Sequence, residues 1–181
     1  MMRTLLVTGP IGSGKSEACR YFSQAGVPVY DCDSRTKMLY SLVPGLKCSI
    51  EERLGIKWEN IGVIFSDDAK REMLESIVYP YVVADIKAWK KENAVAPLVV
   101  IESAVALEKR MFDCLYDMVL IVTADRRTRL ERNPKVAQRD VLQHFDLSRA
   151  DFVVENDSDR ESLYAKLDDL MLKLKKIISV R

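Results

Sequence analysis

The sequence predicts a three-layer α/β fold built on a mostly parallel five-stranded sheet. Five short apolar runs alternate with segments of helical periodicity, which is typical of βαβ units. In addition, residues 9–16 (GPIGSGKS) follow an apolar run, precede a helical segment and match the phosphate-binding pattern G-x-x-x-x-G-K-[ST]. Together these observations predict a P-loop NTPase fold.

The glycine-rich stretch predicts a nucleoside-triphosphate site. Successive backbone N–H groups of such a loop form an anion-binding nest, and the positive end of the following helix dipole lies beneath it. Lys15 is expected to reach the β- and γ-phosphates, and the Ser16 hydroxyl to ligate Mg²⁺. The residues that we expect to contact ATP here are Ile11, Gly12, Ser13, Gly14, Lys15, Ser16 and Glu17.

Composition excludes several classes of protein. With 181 residues the chain is long enough for one domain, or for one domain with an inserted lobe. Its net charge of +1 gives no general attraction to nucleic acid or acidic membranes. Four scattered cysteines and a single histidine argue against a zinc site or a disulfide framework. We therefore expect a soluble cytoplasmic protein, a monomer or weak homo-oligomer, with no nucleic-acid or membrane partner.

The second predicted strand, residues 27–30, ends in Asp31-Cys32-Asp33. Residues just beyond the carboxyl end of a strand lie where ligands bind in open α/β sheets. Alternatively, one of the two aspartates caps the helix predicted from Ser34. Beside a phosphate-binding loop, a carboxylate can also orient an acceptor hydroxyl and accept its proton.

A helical lobe is predicted between the second and third strands. It contains a helix over residues 34–42, a weakly patterned region as far as Gly62, and a helical stripe that Ser66 is expected to cap. Pro80 lies within that stripe and predicts a kink or a break between two helices. Trp58 is interpreted as a packing residue. The lobe is long enough to cover an acceptor.

The third predicted strand, residues 97–101, ends at Glu102. An apolar strand that ends in a carboxylate is the Walker-B arrangement, in which the carboxylate holds Mg²⁺ or its waters. The alternative is a surface carboxylate without a ligand, because short apolar strands often end in this way.

The last third of the chain is expected to supply cations over the transferring group. After a fourth strand at residues 117–123, the segment 125–132 is rich in arginine, and Arg132 is the leading candidate to stabilise transferred charge. Residues 133–150, which contain Arg139 and His144, are interpreted as a short lid. A fifth strand ends at Asn156, where an adenine edge could be bound, and a structural helix follows over residues 159–177.

Several of these segments together resemble the dephospho-CoA kinase family. The similarity runs from residue 6 to about residue 157. It includes the P-loop block, the block GVPVYDCD at residues 26–33, and the block IFSD at residues 64–67 with its continuation to Pro80. The D-x-D of the second block distinguishes this family better than the P-loop block does, because many kinases share a P-loop but few have D-x-D at this distance.

The resemblance implies transfer of the γ-phosphoryl group of ATP, with Mg²⁺, to the ribose 3′-hydroxyl of dephospho-CoA. It implies P-loop roles for Lys15 and Ser16 and an acceptor-orienting role for Asp33, and it places Lys37 where the family usually has arginine. Together with the residue patterns above, we expect catalytic roles for Lys15, Asp33 and Arg132, ATP contacts from Arg139 and Asn156, and acceptor contacts from Asp31, Asp33 and Lys37. Residues 1–33, 97–132 and 151–181 would form the nucleotide core, residues 34–96 the acceptor lobe, and residues 133–150 the lid.

The sequence also departs from the family pattern. Glu17 stands where threonine is usual and places a negative charge near the phosphates unless it turns away. Tyr79 stands where histidine is usual, and the lid is short. Two rival functions follow: another nucleoside, nucleotide or small-metabolite kinase, or a P-loop switch or catalytically silent ATP sensor. The absence of N-K-x-D and L-S-G-G-Q motifs disfavours a guanine-nucleotide switch and a transporter ATPase.

Overall fold

The computed structural model describes residues 2–139 and 146–179. The chain divides into two compact units. The first combines Met1–Asp31 with Lys90–Arg181, and the second consists of Cys32–Trp89. The functional division into core, acceptor lobe and lid stays a prediction.

The first unit is built on a five-stranded sheet in the order β2-β3-β1-β4-β5, and every neighbouring pair is parallel. This confirms the predicted fold class. All five strands fall on the apolar runs of the sequence, because both faces of the central strands are covered and exclude water. The strands are β1 (Arg3–Thr8), β2 (Val29–Asp31), β3 (Leu98–Glu102), β4 (Met118–Thr123) and β5 (Phe152–Glu155).

The described residues form seven α-helices, and none of them is long and apolar enough to cross a membrane. Shorter 3₁₀ segments lie at Trp58–Ser66, Ala106–Glu108, Arg110–Leu115 and Leu147–Arg149. The helices are α1 (Lys15–Gln24), α2 (Cys32–Leu42), α3 (Leu46–Leu54), α4 (Asp68–Glu92), α5 (Arg126–Arg132), α6 (Val136–Arg139) and α7 (Arg160–Ser179).

Helices α1 and α7 share one apolar core with the sheet. Phe22 of α1, Leu167 and Leu174 of α7, and Leu120 of β4 are all fully buried in this cluster. Each large side chain buried in this way contributes about 1.5–3 kcal/mol to folding. The helix that follows the glycine-rich loop is therefore fixed against both the sheet and the last helix.

Two carboxylates complete the hydrogen bonding at the amino edge of the sheet. Asp117 accepts from the backbone N–H of Thr4, and Asp151 from that of Val119, both at 2.7 Å. A buried strand amide without an acceptor is costly. Asp151 therefore acts at the amino end of β5, at the opposite end of that strand from Asn156.

Two predictions for the second unit are corrected: Pro80 does not divide the helical stripe into two helices, and Ser66 does not cap it. Helix α4 continues through Pro80 without a break, because buried residues recur at helical spacing on both sides of it. Their burial outweighs the cost of about 3 kcal/mol for an interior proline. Ser66 is not the N-cap: its hydroxyl donates to the Val63 carbonyl at 2.8 Å, and Asp67 accepts from the Lys70 N–H at 3.1 Å. The buried α4 residues are Leu74, Ile77, Val78, Val82 and Ile86.

The region that the sequence left weakly patterned contains helix α3, which is framed by Gly45 and Gly55. Trp58 follows it and packs edge-on against Tyr40, with ring centroids 4.7 Å apart. The ammonium group of Lys47 lies 5.2 Å from the Trp58 ring. These contacts agree with a packing role for Trp58.

Candidate active site

The glycine-rich loop joins the carboxyl end of β1 to the first residue of α1. Gly9 has a φ of 144°, and Gly14 occupies the N-cap position with a φ of 99°. A Cβ atom at Gly9 would collide with the Val122 carbonyl oxygen, and one at Gly14 with the side-chain amide of Asn156. Glycine at these two positions therefore allows the loop to lie against the ends of β4 and β5.

The loop ends on the amino terminus of α1. The N–H of Ser13 donates to the Pro10 carbonyl at 3.2 Å, and the N–H groups of Glu17 and Ala18 return to the Gly14 carbonyl. The first N–H groups of a helix have no acceptor within it and carry partial positive charge. This geometry suits a bound phosphate.

Lys15 lies beside the loop. Its side chain is half-buried, and its Nζ atom donates to the Pro10 carbonyl at 3.1 Å. This hydrogen bond keeps the ammonium group within reach of an anion bound by the loop amides. The predicted contact with the β- and γ-phosphates stays a prediction.

Ser16 and Glu102 meet at the carboxyl edge of the sheet. The Ser16 hydroxyl donates to Oε1 of Glu102 at 2.7 Å. Glu102 lies at the end of β3, in register with Val7 of β1 and with Asp31 of β2. The parallel register therefore brings the P-loop hydroxyl and two carboxylate-bearing residues to one edge.

Burial raises the pKa of the Glu102 carboxyl above its usual value. The hydrogen bond from Ser16 acts in the opposite direction, and the neighbouring Asp31 carboxylate adds a further increase. Cys19, one turn after Ser16, is buried and hydrogen-bonded to Glu102, and burial raises its thiol pKa well above the ordinary value. The thiol is therefore inert at neutral pH.

Ser16 and Glu102 fit a magnesium site completed by a nucleotide. In the described ranges 2–139 and 146–179, no group of three histidine, cysteine or carboxylate side chains forms a ready-made metal site. Mg²⁺ does not need one, since it is usually held by one or two carboxylates, waters and substrate phosphates. A hydroxyl and a carboxylate 2.7 Å apart supply hard oxygen donors of that kind.

Asn156 lies directly behind the glycine-rich loop. Its side-chain amide donates to the Ser13 carbonyl at 2.8 Å, and only 6% of the residue is exposed. The guanidinium of Arg132 donates to the Asn156 carbonyl at 2.7 Å and to the Ser158 carbonyl at 3.0 Å. The two residues thus connect the loop, the end of β5 and helix α5. Their predicted contacts with adenine and with transferred charge stay predictions.

The predicted lid is described only in part. Helix α5, which leads into the predicted lid, is capped by Asp125, which accepts from the Thr128 N–H at 2.8 Å. Arg139 is the last residue of α6, and its side chain lies outside what the structure describes, as does all of His144.

Glu17 turns toward helix α7. Its carboxylate accepts hydrogen bonds from the Tyr164 hydroxyl at 2.8 Å and from Arg20 at 2.5 Å, and it forms an ion pair with the Arg160 guanidinium at 2.8 Å. The sequence does not indicate these partners, because its pattern predicts only a structural role for the last helix. The i, i+4 spacing of Arg160 and Tyr164 shows that they share a helix face, but it does not show what that face contacts.

The predicted acceptor residues lie at the start of α2. Asp31 is the last residue of β2, and Asp33 lies within the first turn of α2 rather than at its cap, since the helix begins at Cys32. Asp33 and Lys37 are both exposed. Their i, i+4 spacing places them on one face of the helix. Their acceptor roles stay predictions.

A family model described as dephospho-CoA kinase matches residues 60–162, which is more than half of the chain. The dephospho-CoA kinase of Porphyromonas gingivalis is 34% identical over 140 residues, which cover 72% of this chain and 68% of that protein. The Rickettsia typhi enzyme is 26% identical over 189 residues, covering 96% of this chain and 98% of the relative.

Solved structures agree with the fold. A Thermus thermophilus protein superposes with a TM-score of 0.77 at 25% identity, covering 96% of this chain and 98% of that chain. Campylobacter jejuni dephospho-CoA kinase gives a TM-score of 0.67 at 17% identity, covering 97% and 98%. Shikimate kinase from Acinetobacter baumannii gives 0.53 at 16% identity, covering 96% and 94%, and this likeness concerns the fold alone. On the family model and the P. gingivalis relative, the chain belongs to the dephospho-CoA kinase family.

Proposed function

We infer that the chain transfers the γ-phosphoryl group of ATP to the ribose 3′-hydroxyl of dephospho-CoA, giving coenzyme A and ADP. This is the last step of coenzyme A synthesis. The observation that carries the inference is membership of the dephospho-CoA kinase family. The glycine-rich loop at residues 9–16 supplies the site for the phosphoryl donor.

Positioning and charge neutralisation do most of the work in phosphoryl transfer. The loop amides at the start of α1 would bind the β- and γ-phosphates, and the Lys15 ammonium would neutralise part of their charge. The buried hydrogen bond from Asn156 to Ser13 supports the loop from behind. A loop held in this way needs little reorganisation when ATP binds.

Ser16 and Glu102 would hold Mg²⁺ together with phosphate oxygens and water. When bound, the ion neutralises charge on the phosphate oxygens. The Ser16 hydroxyl, which donates to Glu102 in this structure, would then turn its lone pairs toward the cation.

Asp33 would hydrogen-bond the attacking hydroxyl and accept its proton. Asp31 and Lys37 would contact the acceptor. The exposure of Asp33 and Lys37 and their shared helix face support this assignment, because an acceptor-binding group must be open to a ligand. Arg132 and Arg139 are proposed to approach the phosphates when the lid closes.

The remaining assignments concern partners and location. We propose a monomer or weak homo-oligomer that acts in the cytoplasm on ATP and dephospho-CoA, without nucleic-acid or membrane partners. The pairing of Glu17 with two arginines weakens one of the two reasons for considering a silent ATP sensor, a negative charge facing the phosphates, and leaves the other, the short lid.

An acceptor panel tests the proposed function. ADP release is measured with dephospho-CoA, adenosine, AMP and shikimate at saturating MgATP, and the phosphorylated product is located by ³¹P NMR. We expect dephospho-CoA alone to accelerate ADP release. Lys15→Ala should reduce kcat/KM by about 100-fold or more. Lys176→Ala, which changes an exposed lysine of α7, is the matched control.

Faster turnover of another alcohol would contradict the assigned acceptor. ADP release that does not depend on any acceptor would contradict the kinase assignment. Equal activity of Lys15→Ala and Lys176→Ala would contradict the proposed phosphate site.

A further inference from the structure

Glu17 is held by three side chains from two helices. Arg20, one turn further along α1, contacts Oε2 of Glu17 at 2.5 Å. From α7, the Tyr164 hydroxyl donates to Oε1 at 2.8 Å, and the Arg160 Nε atom forms an ion pair with the same oxygen at 2.8 Å. The Glu17 side chain is 23% exposed, whereas the two arginine side chains are more than half exposed.

This arrangement directs the carboxylate away from Lys15. Residues two positions apart on a helix project about 200° apart, so Glu17 leaves α1 on the side opposite Lys15. Lys15 folds back to the Pro10 carbonyl of the loop, whereas Glu17 extends to α7. Glu17 is therefore adjacent to Ser16 in the sequence, but its carboxylate oxygens contact Arg20, Arg160 and Tyr164.

The α7 partners of Glu17 are themselves held in place. Arg160 donates a hydrogen bond to the Tyr164 hydroxyl at 3.2 Å, and its Cζ atom lies 5.0 Å from the Tyr164 ring centroid. The Tyr164 ring packs edge-on against Tyr21 at 5.2 Å, and Tyr21 donates to Asp168 at 2.5 Å. Arg160 is thus oriented by contacts other than Glu17, which favours a fixed pairing geometry.

The electrostatic consequence follows from the position of Glu17. A carboxylate next to the P-loop serine repels a triphosphate bound at the amino end of α1. It also offsets the partial positive charge of that helix end, which attracts anionic ligands. The guanidinium groups of Arg20 and Arg160, at 2.5 and 2.8 Å from the carboxylate, offset this field at the distance of the phosphates, and loss of Arg160 removes one of these two positive charges. An exposed ion pair of this kind adds little to folding stability. Its effect should therefore appear in nucleotide binding.

We propose that Arg160 is a positioning residue for the kinase reaction, which holds the Glu17 carboxylate on α7 and cancels its charge beside the phosphate-binding loop. The proposal rests on the proposed function only in taking ATP as the phosphoryl donor. It gives the last helix a role in nucleotide affinity, although α7 itself supplies no loop residue.

The test compares Arg160→Ala, Glu17→Gln and the double variant in the full chain. The Kd of MgATP is measured by isothermal titration without acceptor, and KM and kcat are measured with dephospho-CoA. Arg160→Ala should raise the Kd and the KM for ATP about fivefold and leave kcat within about twofold. The double variant should return to within about twofold of wild type, because removal of the Glu17 charge removes the repulsion.

Two further variants separate charge from structure. Arg160→Lys keeps the positive charge and should bind ATP within about twofold of wild type. Arg3→Ala removes a 42% exposed arginine that pairs with Asp117 at the amino edge of the sheet, and it serves as the matched control. The ratio of the Kd of Arg160→Ala to that of the wild-type chain should be smaller at 0.5 M NaCl, since salt screens exposed charges.

Wild-type affinity in Arg160→Ala would overturn the proposal. Weakened binding that Glu17→Gln does not rescue would also overturn it, since a purely structural role predicts no rescue. If Arg160→Ala does not fold, Arg160→Gln replaces it, alone and combined with Glu17→Gln. The same two results, wild-type affinity or weakened binding without rescue, would then overturn the proposal. A wild-type chain that binds ATP but does not phosphorylate dephospho-CoA would refute the proposed function and leave this inference standing, whereas a wild-type chain that fails to bind ATP would refute both.

Discussion

The hydrogen bond between the end of β5 and the phosphate loop can be removed by one substitution, Asn156→Ala. The Asn156 amide donates to the Ser13 carbonyl at 2.8 Å, and Asn156 is 6% exposed. Removal of one partner of a buried pair leaves the Ser13 carbonyl without its donor, which costs about 1–3 kcal/mol. For a chain of this length, each kcal/mol lowers the melting temperature by about 2–4 °C.

The same substitution should weaken nucleotide binding. The carbonyl of Ser13 precedes Gly14, the N-cap residue of α1, so the lost contact loosens the part of the loop that would bind phosphate. Part of the binding free energy of ATP is then needed to order the loop. We expect the KM for ATP to rise about tenfold, which corresponds to about 1.4 kcal/mol, with a smaller change in kcat.

Thermal melts and steady-state kinetics at saturating dephospho-CoA measure the two effects. Asn156→Asp is the sharper variant, because it keeps the side-chain size but places a second acceptor against the Ser13 carbonyl. It should lower the melting temperature and raise the KM for ATP by more than Asn156→Ala does. Asn60→Ala changes an exposed asparagine and serves as the control. A wild-type melting temperature and a wild-type KM in both Asn156 variants would refute the reasoning.

Two further substitutions test separate parts of the chain. Asp33→Asn should lower kcat by about 100-fold while the KM for ATP stays within about twofold, as measured by ADP release, and an equal loss of ATP binding would argue against an acceptor role. Asp159→Ala should lower the melting temperature by about 2–4 °C at pH 7, because Asp159 accepts from the Ser162 N–H at the start of α7. That hydrogen bond lowers the pKa of Asp159 below its ordinary value, so its stabilisation is present above the unfolded-state pKa and is lost as the pH falls through the lowered value. The difference between the melting temperatures of the two chains should therefore shrink as the pH falls from 7 to 3, and a constant difference would contradict the assignment.

The sheet was predictable because its signal is local. A strand buried on both faces needs a continuous apolar run, and VVI in β3 and VLIV in β4 are such runs. The strand ends also carried information, since Asp31 and Glu102 mark the carboxyl edge in the sequence itself. The fold class and the position of the glycine-rich loop between β1 and α1 therefore followed from short segments of sequence.

The errors in the second unit arose where tertiary burial outweighs local preference. Pro80 disfavours a helix interior, but its cost is fixed, whereas the burial of apolar residues on both sides accumulates over 25 residues of α4. Helix α3 was missed for a related reason. Its apolar side chains Leu46, Ile50 and Leu54 recur at helical spacing, but the segment is only nine residues long, too short for a clear periodic signal.

The candidate site divides in the same way between local and distant contacts. The motif predicts the roles of Lys15 and Ser16, and the apolar strand before Glu102 predicts its position at the edge of the sheet. The direct hydrogen bond between Ser16 and Glu102 joins residues 86 positions apart, and the support of Ser13 by Asn156 spans 143 positions. No local pattern contains such pairs, so the sequence could suggest ligands for each residue but not the contacts among them.

Glu17 shows why a departure from a family pattern is hard to interpret from sequence alone. Its charge is predicted to oppose phosphate binding unless the side chain turns away, and the sequence alone does not show which way the side chain points. The compensating groups, Arg160 and Tyr164, lie 143 and 147 positions later on a helix whose own pattern indicates only an apolar face and a charged face. Because α1 and α7 are packed on the same core, an exposed residue of one can neutralise a residue of the other at little cost in folding free energy. An unusual residue beside the phosphate loop is therefore evidence against activity only when the helix packed against it offers no compensating partner, and in this chain it offers two.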